Sequence, residues 1–105
     1  MQFSHLASLK DLQTRKLICV KTNGYRILIA LAEEKIYAVD DTCTHEDASL
    51  SKGSLHGDCV KCPLHGSRFR LATGAALDDP AEESLNTYSI KLDGDKILVA
   101  LPDQA

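Results

Sequence analysis

The sequence predicts an all-β domain: an antiparallel β-sandwich or small barrel framework carrying a small inserted lobe. Three observations lead there. Short runs of β-branched and apolar residues recur along the chain, tight-turn pairs separate them, and one glycine-rich stretch gathers most of the cysteine and histidine.

Taken in order, a short helix is expected near residues 9–12, with Ser8 as N-cap and Asp11 at the N3 position. Residues 16–22 are apolar and β-branched and read as a strand. Asn23-Gly24 follows, a pair that tolerates the positive φ of a hairpin turn, and residues 25–31 supply the returning strand. Glu33-Glu34 turns the chain into residues 35–39, whose alternation suits a strand with one buried face. Near the other end, residues 84–92 carry apolar Leu85, Tyr88, Ile90 and Leu92. Asp93-Gly94 supplies a tight turn, and residues 96–101 close the pair.

Between these flanks, residues 40–80 hold four of the six glycines, three of the four cysteines and three of the four histidines. Short strand-like pieces at 54–56, 59–61 and 68–71 are punctuated by Gly57-Asp58 and Thr73-Gly74. The expectation is one domain over residues 1–105, with a framework of 1–39 and 81–105 and a lobe of about 40–80 that presents two loops at one end.

Composition excludes several function classes. At 105 residues, with 44% hydrophobic and 26% charged residues, the chain has the make-up of one soluble domain. No apolar run approaches the length of a membrane span. The first residues lack the basic-then-apolar pattern of a secretory leader, so a cytoplasmic location is expected. A net charge of −3 argues against nucleic acid, whose phosphates need a basic face. No glycine-rich phosphate loop is present to hold a flavin or nicotinamide nucleotide.

Four cysteines in a chain without a secretory leader point to metal or catalysis rather than to disulfides. Two of them sit beside histidines, in Cys43-Thr44-His45 and Cys62-Pro63-Leu64-His65, with sixteen residues between His45 and Cys62. A zinc finger keeps its two cysteines together and its two histidines together. Here each loop offers one sulfur and one nitrogen, an arrangement suited to a binuclear centre with both sulfurs on one metal and both nitrogens on the other. A [2Fe-2S] cluster ligated in this way is the Rieske type. A mononuclear structural Cys2His2 zinc site, which accepts the same donors, is the bland alternative.

Cys43-Thr44-His45 and Cys62-Pro63-Leu64-His65-Gly66-Ser67-Arg68-Phe69 resemble the two cluster-binding boxes of Rieske proteins, and residues 50–58 between them resemble Rieske-type ferredoxins of bacterial aromatic-ring dioxygenases. The resemblance implies a Rieske fold and a [2Fe-2S] cofactor. It implies Cys43 and Cys62 on the buried iron, with His45 and His65 on the outer iron as the electron port. It also implies a one-electron carrier, not an enzyme, between a flavoprotein reductase and a terminal oxygenase. The oxygenases carry a further 2-His-1-carboxylate iron site, for which only His5 and His56 would remain here. The small Rieske-like subunit of an assimilatory NADH-dependent nitrite reductase is the second resemblance, and would imply a permanent partner.

Neutral imidazoles leave the oxidised centre formally uncharged, whereas four thiolates make it doubly negative. Adding an electron to the neutral centre costs less in a low-dielectric pocket, which places the potential within roughly −150 to +300 mV. Rieske proteins of respiratory complexes add a disulfide between the loops; Ala48 and Leu64 occupy those places here. They also carry a Ser and a Tyr whose hydroxyls donate to sulfur. Ser67 matches the first, and Phe69 replaces the second, which implies the low end of the range. Ser67 reads either as such a donor or as a partner of loop backbone.

Leu50, Pro63 and Leu64 read as partner-docking contacts or as a lid that excludes water. Glu46 and Asp47 read as contacts for a basic partner or as solvation of the loop tip. Cys19 and Cys59 read as small buried hydrophobes, and His5 and His56 as surface residues.

Overall fold

The structure is a computed structural model that describes residues 2–22, 24–43, 48–64, 66–78 and 83–101. It is built of antiparallel strands in three sheets. β1 (Gln2–Ser8) leads into α1 (Leu9–Arg15), then β2 (Leu17–Thr22), β3 (Tyr25–Ala32) and β4 (Lys35–Asp40) follow as successive hairpins. The lobe contains one 3-10 turn (Leu50–Lys52), β5 (Ser54–His56), β6 (Cys59–Lys61) and β7 (Arg68–Arg70). The chain returns through β8 (Thr87–Tyr88), β9 (Ile90–Asp93) and β10 (Lys96–Leu101). Sheet order is β1-β10-β9, β2-β3-β4-β8 and, in the lobe, β5-β6-β7.

β3 is the pivot. Its near-continuous apolar run is the pattern of a strand covered on both faces. Successive side chains alternate in direction, so Ile27 and Ile29 enter one core while Leu28 and Ala30 enter another. The first core lies between the two framework sheets and adds Leu12, Ile18, Ile97, Val99 and Leu101. The second joins β3 and β4 to the lobe through Val39, Leu50, Val60, Phe69, Leu71 and Leu85, and it includes Cys43 and Cys62. Burying each large aliphatic side chain contributes about 1.5–3 kcal/mol, so the lobe is fastened by the same side chains that surround its two cysteines.

Local elements follow from their residues. Ser8 caps α1, its Oγ accepting the Asp11 N–H at 3.2 Å, as expected from the sequence. The Glu33-Glu34 turn forms with both residues at positive φ (50° and 67°), although neither is glycine or asparagine. β2 and β3 pair in register from Leu17–Ala30 to Thr22–Tyr25, while Asn23 lies outside the described residues.

Three features differ from the sequence expectation. β1 is an additional strand, paired to β10 with a register shift between His5 and Ala7. That irregularity, and a partner almost the whole chain away, hide it from local pattern. The single strand expected over 84–92 is two, because β8 pairs with β4 whereas β9 pairs with β10. The turn after β9 has Gly94 at φ 61° between the paired residues Asp93 and Lys96, so it sits one residue later than expected.

Candidate metal centre

The described necks of the two loops that carry the Cys-His pairs are built alike. Thr42 bridges Ser49 across the mouth of the first, and Lys61 pairs with Arg68 across the mouth of the second. Each loop opens on its cysteine. The Cys43 N–H donates to the Ala48 carbonyl at 2.9 Å, and the Cys62 N–H donates to the Ser67 carbonyl at 2.8 Å. The same five-residue step therefore closes both. In the second loop the Gly66 N–H also donates back to the Cys62 carbonyl at 3.2 Å.

Cys43 and Cys62 are 3% and 2% exposed, lie in the same buried cluster, and form no disulfide. Two thiols held from separate loops in an apolar pocket fit a metal centre, because iron would neutralise thiolates that burial alone would penalise. Thr44, His45, Glu46, Asp47 and His65 lie outside the described residues. Ser67 is 1% exposed and Phe69 fully buried, and both belong to the return side of the second loop. Pro63 and Leu64 are exposed, Leu64 by 61%.

Leu50 corrects the docking reading, though not the alternative of a residue that excludes water. It is fully buried in the core that includes Cys43 and Cys62, with its N–H donating to the Asp41 carbonyl at 2.7 Å. An apolar residue beside a loop finds the core before it finds a partner, so Leu50 offers no docking contact. Cys19 is also not a core hydrophobe. It is partly exposed, and its thiol donates to Asp41 Oδ2 at 3.4 Å. Burial, with the Asp41 charge next, pushes the Cys19 thiol up and keeps it protonated. Cys59 is buried, and burial with a hydrogen bond to Asp58 pushes its thiol up too. His5 and His56 are exposed.

The residue missed from sequence is Asp41, a fully buried carboxylate two residues before Cys43. It accepts from the Ser51 N–H at 2.9 Å, Arg26 Nη2 at 3.3 Å, the Cys19 thiol and the Ser49 hydroxyl. Its neighbour Asp40 accepts from the Tyr88 hydroxyl at 2.6 Å and the Asn86 N–H at 3.0 Å. The pair thus ties the end of β4 to the lobe on one side and to β8 on the other. Burial, then the hydrogen bond to Asp40, raises the Tyr88 pKa. The only sequence signal was two adjacent acids at the end of a strand. Arg68 clamps the far side of the second loop, its Nε and Nη2 reaching Asp78 at 2.7 and 3.2 Å. That ion pair holds the Asp78 carboxyl below its usual range.

Residues 2–89 match the description of the Rieske [2Fe-2S] domain. The chain belongs to the Rieske [2Fe-2S] domain family. It is 37% identical over 95 residues to the ferredoxin component of naphthalene 1,2-dioxygenase/salicylate 5-hydroxylase systems from a Ralstonia species, covering 90% of this chain and 91% of that one. It is 36% identical over 101 residues to the ferredoxin component of biphenyl 2,3-dioxygenase from Rhodococcus jostii, covering 96% and 94%. Its fold is similar to the solved complex of reduced oxygenase and oxidised ferredoxin in carbazole 1,9a-dioxygenase, with TM-score 0.86 and 30% identity over 93% of this chain and 92% of that one. The Rieske chain is accordingly an electron-carrying ferredoxin with a [2Fe-2S] cofactor rather than a catalyst. Among its described residues no helix is long and apolar enough to cross a membrane.

Proposed function

We propose that this ferredoxin carries one electron at a time, in the cytoplasm, from a flavoprotein reductase to the terminal oxygenase of an aromatic-ring dioxygenase system. Cys43 and Cys62 supply the sulfur ligands, and His45 and His65 the nitrogen ligands and electron port. The single observation that carries this is the matched pair of loops, each opening on a buried cysteine and closed by the same hydrogen bond. Bound there, the cluster supplies a one-electron couple whose oxidised form is neutral. The chain's own part is to hold both loops against a rigid apolar core, so that ligand geometry changes little between redox states, and to keep water from the cysteines.

The nitrite reductase subunit and the zinc module are weaker readings, since the relatives at 36–37% identity bear ferredoxin names. The deciding experiment is an electron paramagnetic resonance spectrum of the dithionite-reduced protein, with iron and sulfide quantified on the same sample. The proposal expects about two irons per chain and an average g below that of all-cysteine clusters. A silent sample with one zinc per chain would overturn it. Mixing the reduced protein with the oxygenase of a naphthalene or biphenyl dioxygenase system then tests the partner. Loss of the cluster in His65→Ala, with retention in His56→Ala, tests the ligand assignment.

A further inference from the structure

Lys61 lies on β6, the central strand of the lobe sheet, paired with Ser54 of β5 and Arg68 of β7. Its backbone is fixed by these neighbours and by Gly53, where a Cβ would sit 1.9 Å from the Lys61 carbonyl oxygen. Its side chain runs along the second ligand loop. A Cβ on Gly66 would sit 3.1 Å from Lys61 Cε and 3.9 Å from its Nζ. Gly66 has a φ of +75°, so both its backbone and the lysine stem over it call for glycine. Lys61 immediately precedes Cys62, and Gly66 immediately follows His65. The ammonium is therefore laid beside the stretch of chain that carries both ligand positions of this loop.

The charges of the two loops give this placement its weight. Residues 41–49 contain Asp41, Glu46 and Asp47 and no lysine or arginine. Residues 61–68 contain two cations, Lys61 and Arg68, and no acid. Arg68 is engaged by Asp78, its Nε and Nη2 reaching the carboxylate at 2.7 and 3.2 Å. Among the described residues no carboxylate lies within ion-pair distance of Lys61. Asp78 is lowered first by its hydrogen bond from Arg68 and last by the charge of Lys61. Lys61 is thus the cation of these loops whose charge is least cancelled.

We propose that Lys61 tunes the metal centre electrostatically, its ammonium raising the reduction potential. The inference rests on the assignment of Cys62 and His65 as ligands. A centre with two thiolates and two neutral imidazoles is uncharged when oxidised and carries one negative charge when reduced. A fixed positive charge beside it favours the reduced state and leaves the oxidised state almost untouched. Cys43 and Cys62 are buried among apolar side chains, so part of the path between charge and centre excludes water and the attraction is stronger than in bulk solvent. Lys61 itself is exposed, so added salt weakens the effect. The outcome is a carrier that accepts an electron more readily and releases it with less driving force.

The test is a redox titration of the iron-loaded protein at low and high salt, followed by the paramagnetic resonance signal of the reduced centre. Wild type is compared with Lys61→Met, Lys61→Glu, Lys61→Arg and the control Lys91→Met, on exposed β9 of the framework. Lys61→Met keeps a stem over Gly66 and removes the charge, so its potential should fall. Lys61→Glu should fall about twice as far, because the charge changes by two rather than one. Lys61→Arg should hold the wild-type value, Lys91→Met should stay near it, and the shifts should shrink at high salt. Iron content and g values should be the same throughout. An unchanged potential in Lys61→Met would overturn the proposal, as would an equal fall in Lys91→Met or shifts that ignore salt. An equal fall in Lys61→Arg, or altered g values accompanying the shift, would assign the effect to packing of the loop and overturn it too. Wild-type protein that holds no iron would overturn the ligand assignment itself, and this inference with it.

Discussion

Asp41 accepts the backbone N–H of Ser51 at 2.9 Å, across the neck of the loop that opens on Cys43. The backbone of Asp41 works in parallel, its carbonyl accepting the Leu50 N–H at 2.7 Å and its N–H reaching the Arg26 carbonyl at 3.0 Å. One residue thus binds both legs of the loop to each other and to β3.

Asp41→Ala leaves the Ser51 N–H and the Arg26 guanidinium without this partner in a part-buried site. Each abandoned buried partner costs roughly 1–3 kcal/mol, discounted for the partly exposed Arg26. The expected outcome is a lower urea midpoint and faster bleaching of the iron–sulfur absorbance on dilution. Asp41→Asn keeps an acceptor for Ser51 and should lose less. Equal losses in the two variants would mean that the charge, not the hydrogen bond, holds the loop.

Gly53 is the other joint between the loops. A Cβ placed there would sit 1.9 Å from the carbonyl oxygen of Lys61, the residue before Cys62. The missing side chain lets the exit of the first loop lie against the strand that enters the second. Gly53→Ala must push backbone against backbone, so β6 shifts and carries Cys62 with it. Gly57→Ala, where a Cβ meets nothing within 4 Å, is the comparison. Its φ of +61° costs about 1–2 kcal/mol of strain but moves neither loop. Iron content per chain should fall in the first variant and hold in the second.

Much of this was legible in the sequence where the cause is local. The β3 run, the hairpins and the Ser8 cap depend on residues a few positions apart, and the Cys-His pairs declare their donor chemistry by spacing alone. What escaped depends on contacts across the fold. Asp-Asp at a strand end reads as a turn until Arg26, Ser49 and Ser51 are brought around the second carboxylate. Leu50 reads as a docking contact or a water-excluding lid until Val60, Phe69 and Leu71 join it in one buried core, and β1 reads as a terminus until β10 returns beside it.

The alkaline stability of the protein follows from two thiols outside the ligand set. Burial and a carboxylate neighbour raise the pKa of both Cys19 and Cys59 above the ordinary thiol value. In the window above that ordinary value, near pH 8.5, the unfolded chain releases these protons while the folded chain keeps them. The unfolded state then binds fewer protons, so stability is full below the window and declines as pH rises through the folded pKa. Cys19→Ala should flatten part of the decline in urea midpoint above about pH 8.5, and Cys59→Ala another part. An unchanged slope in both variants would assign the decline to other groups, Tyr88 first, whose pKa burial also raises.

Ser67 is where the tuning of the centre can be measured. Its carbonyl accepts the Cys62 N–H at 2.8 Å, and the residue is 1% exposed, so backbone and side chain are held at the base of the second ligand loop. A hydroxyl that donates to cluster or thiolate sulfur stabilises the reduced state more than the oxidised one, because the reduced centre is more negative. Ser67→Ala removes the hydroxyl and leaves the backbone bond in place. The reduction potential should fall by roughly 20–60 mV, the equivalent of about 0.5–1.4 kcal/mol for one electron, with iron content unchanged. Phe69→Tyr is the converse: it places a hydroxyl in the same buried shell and should raise the potential. A potential that stays fixed in Ser67→Ala would mean that the hydroxyl serves the loop backbone, and that the low potential expected of this ferredoxin is set without it.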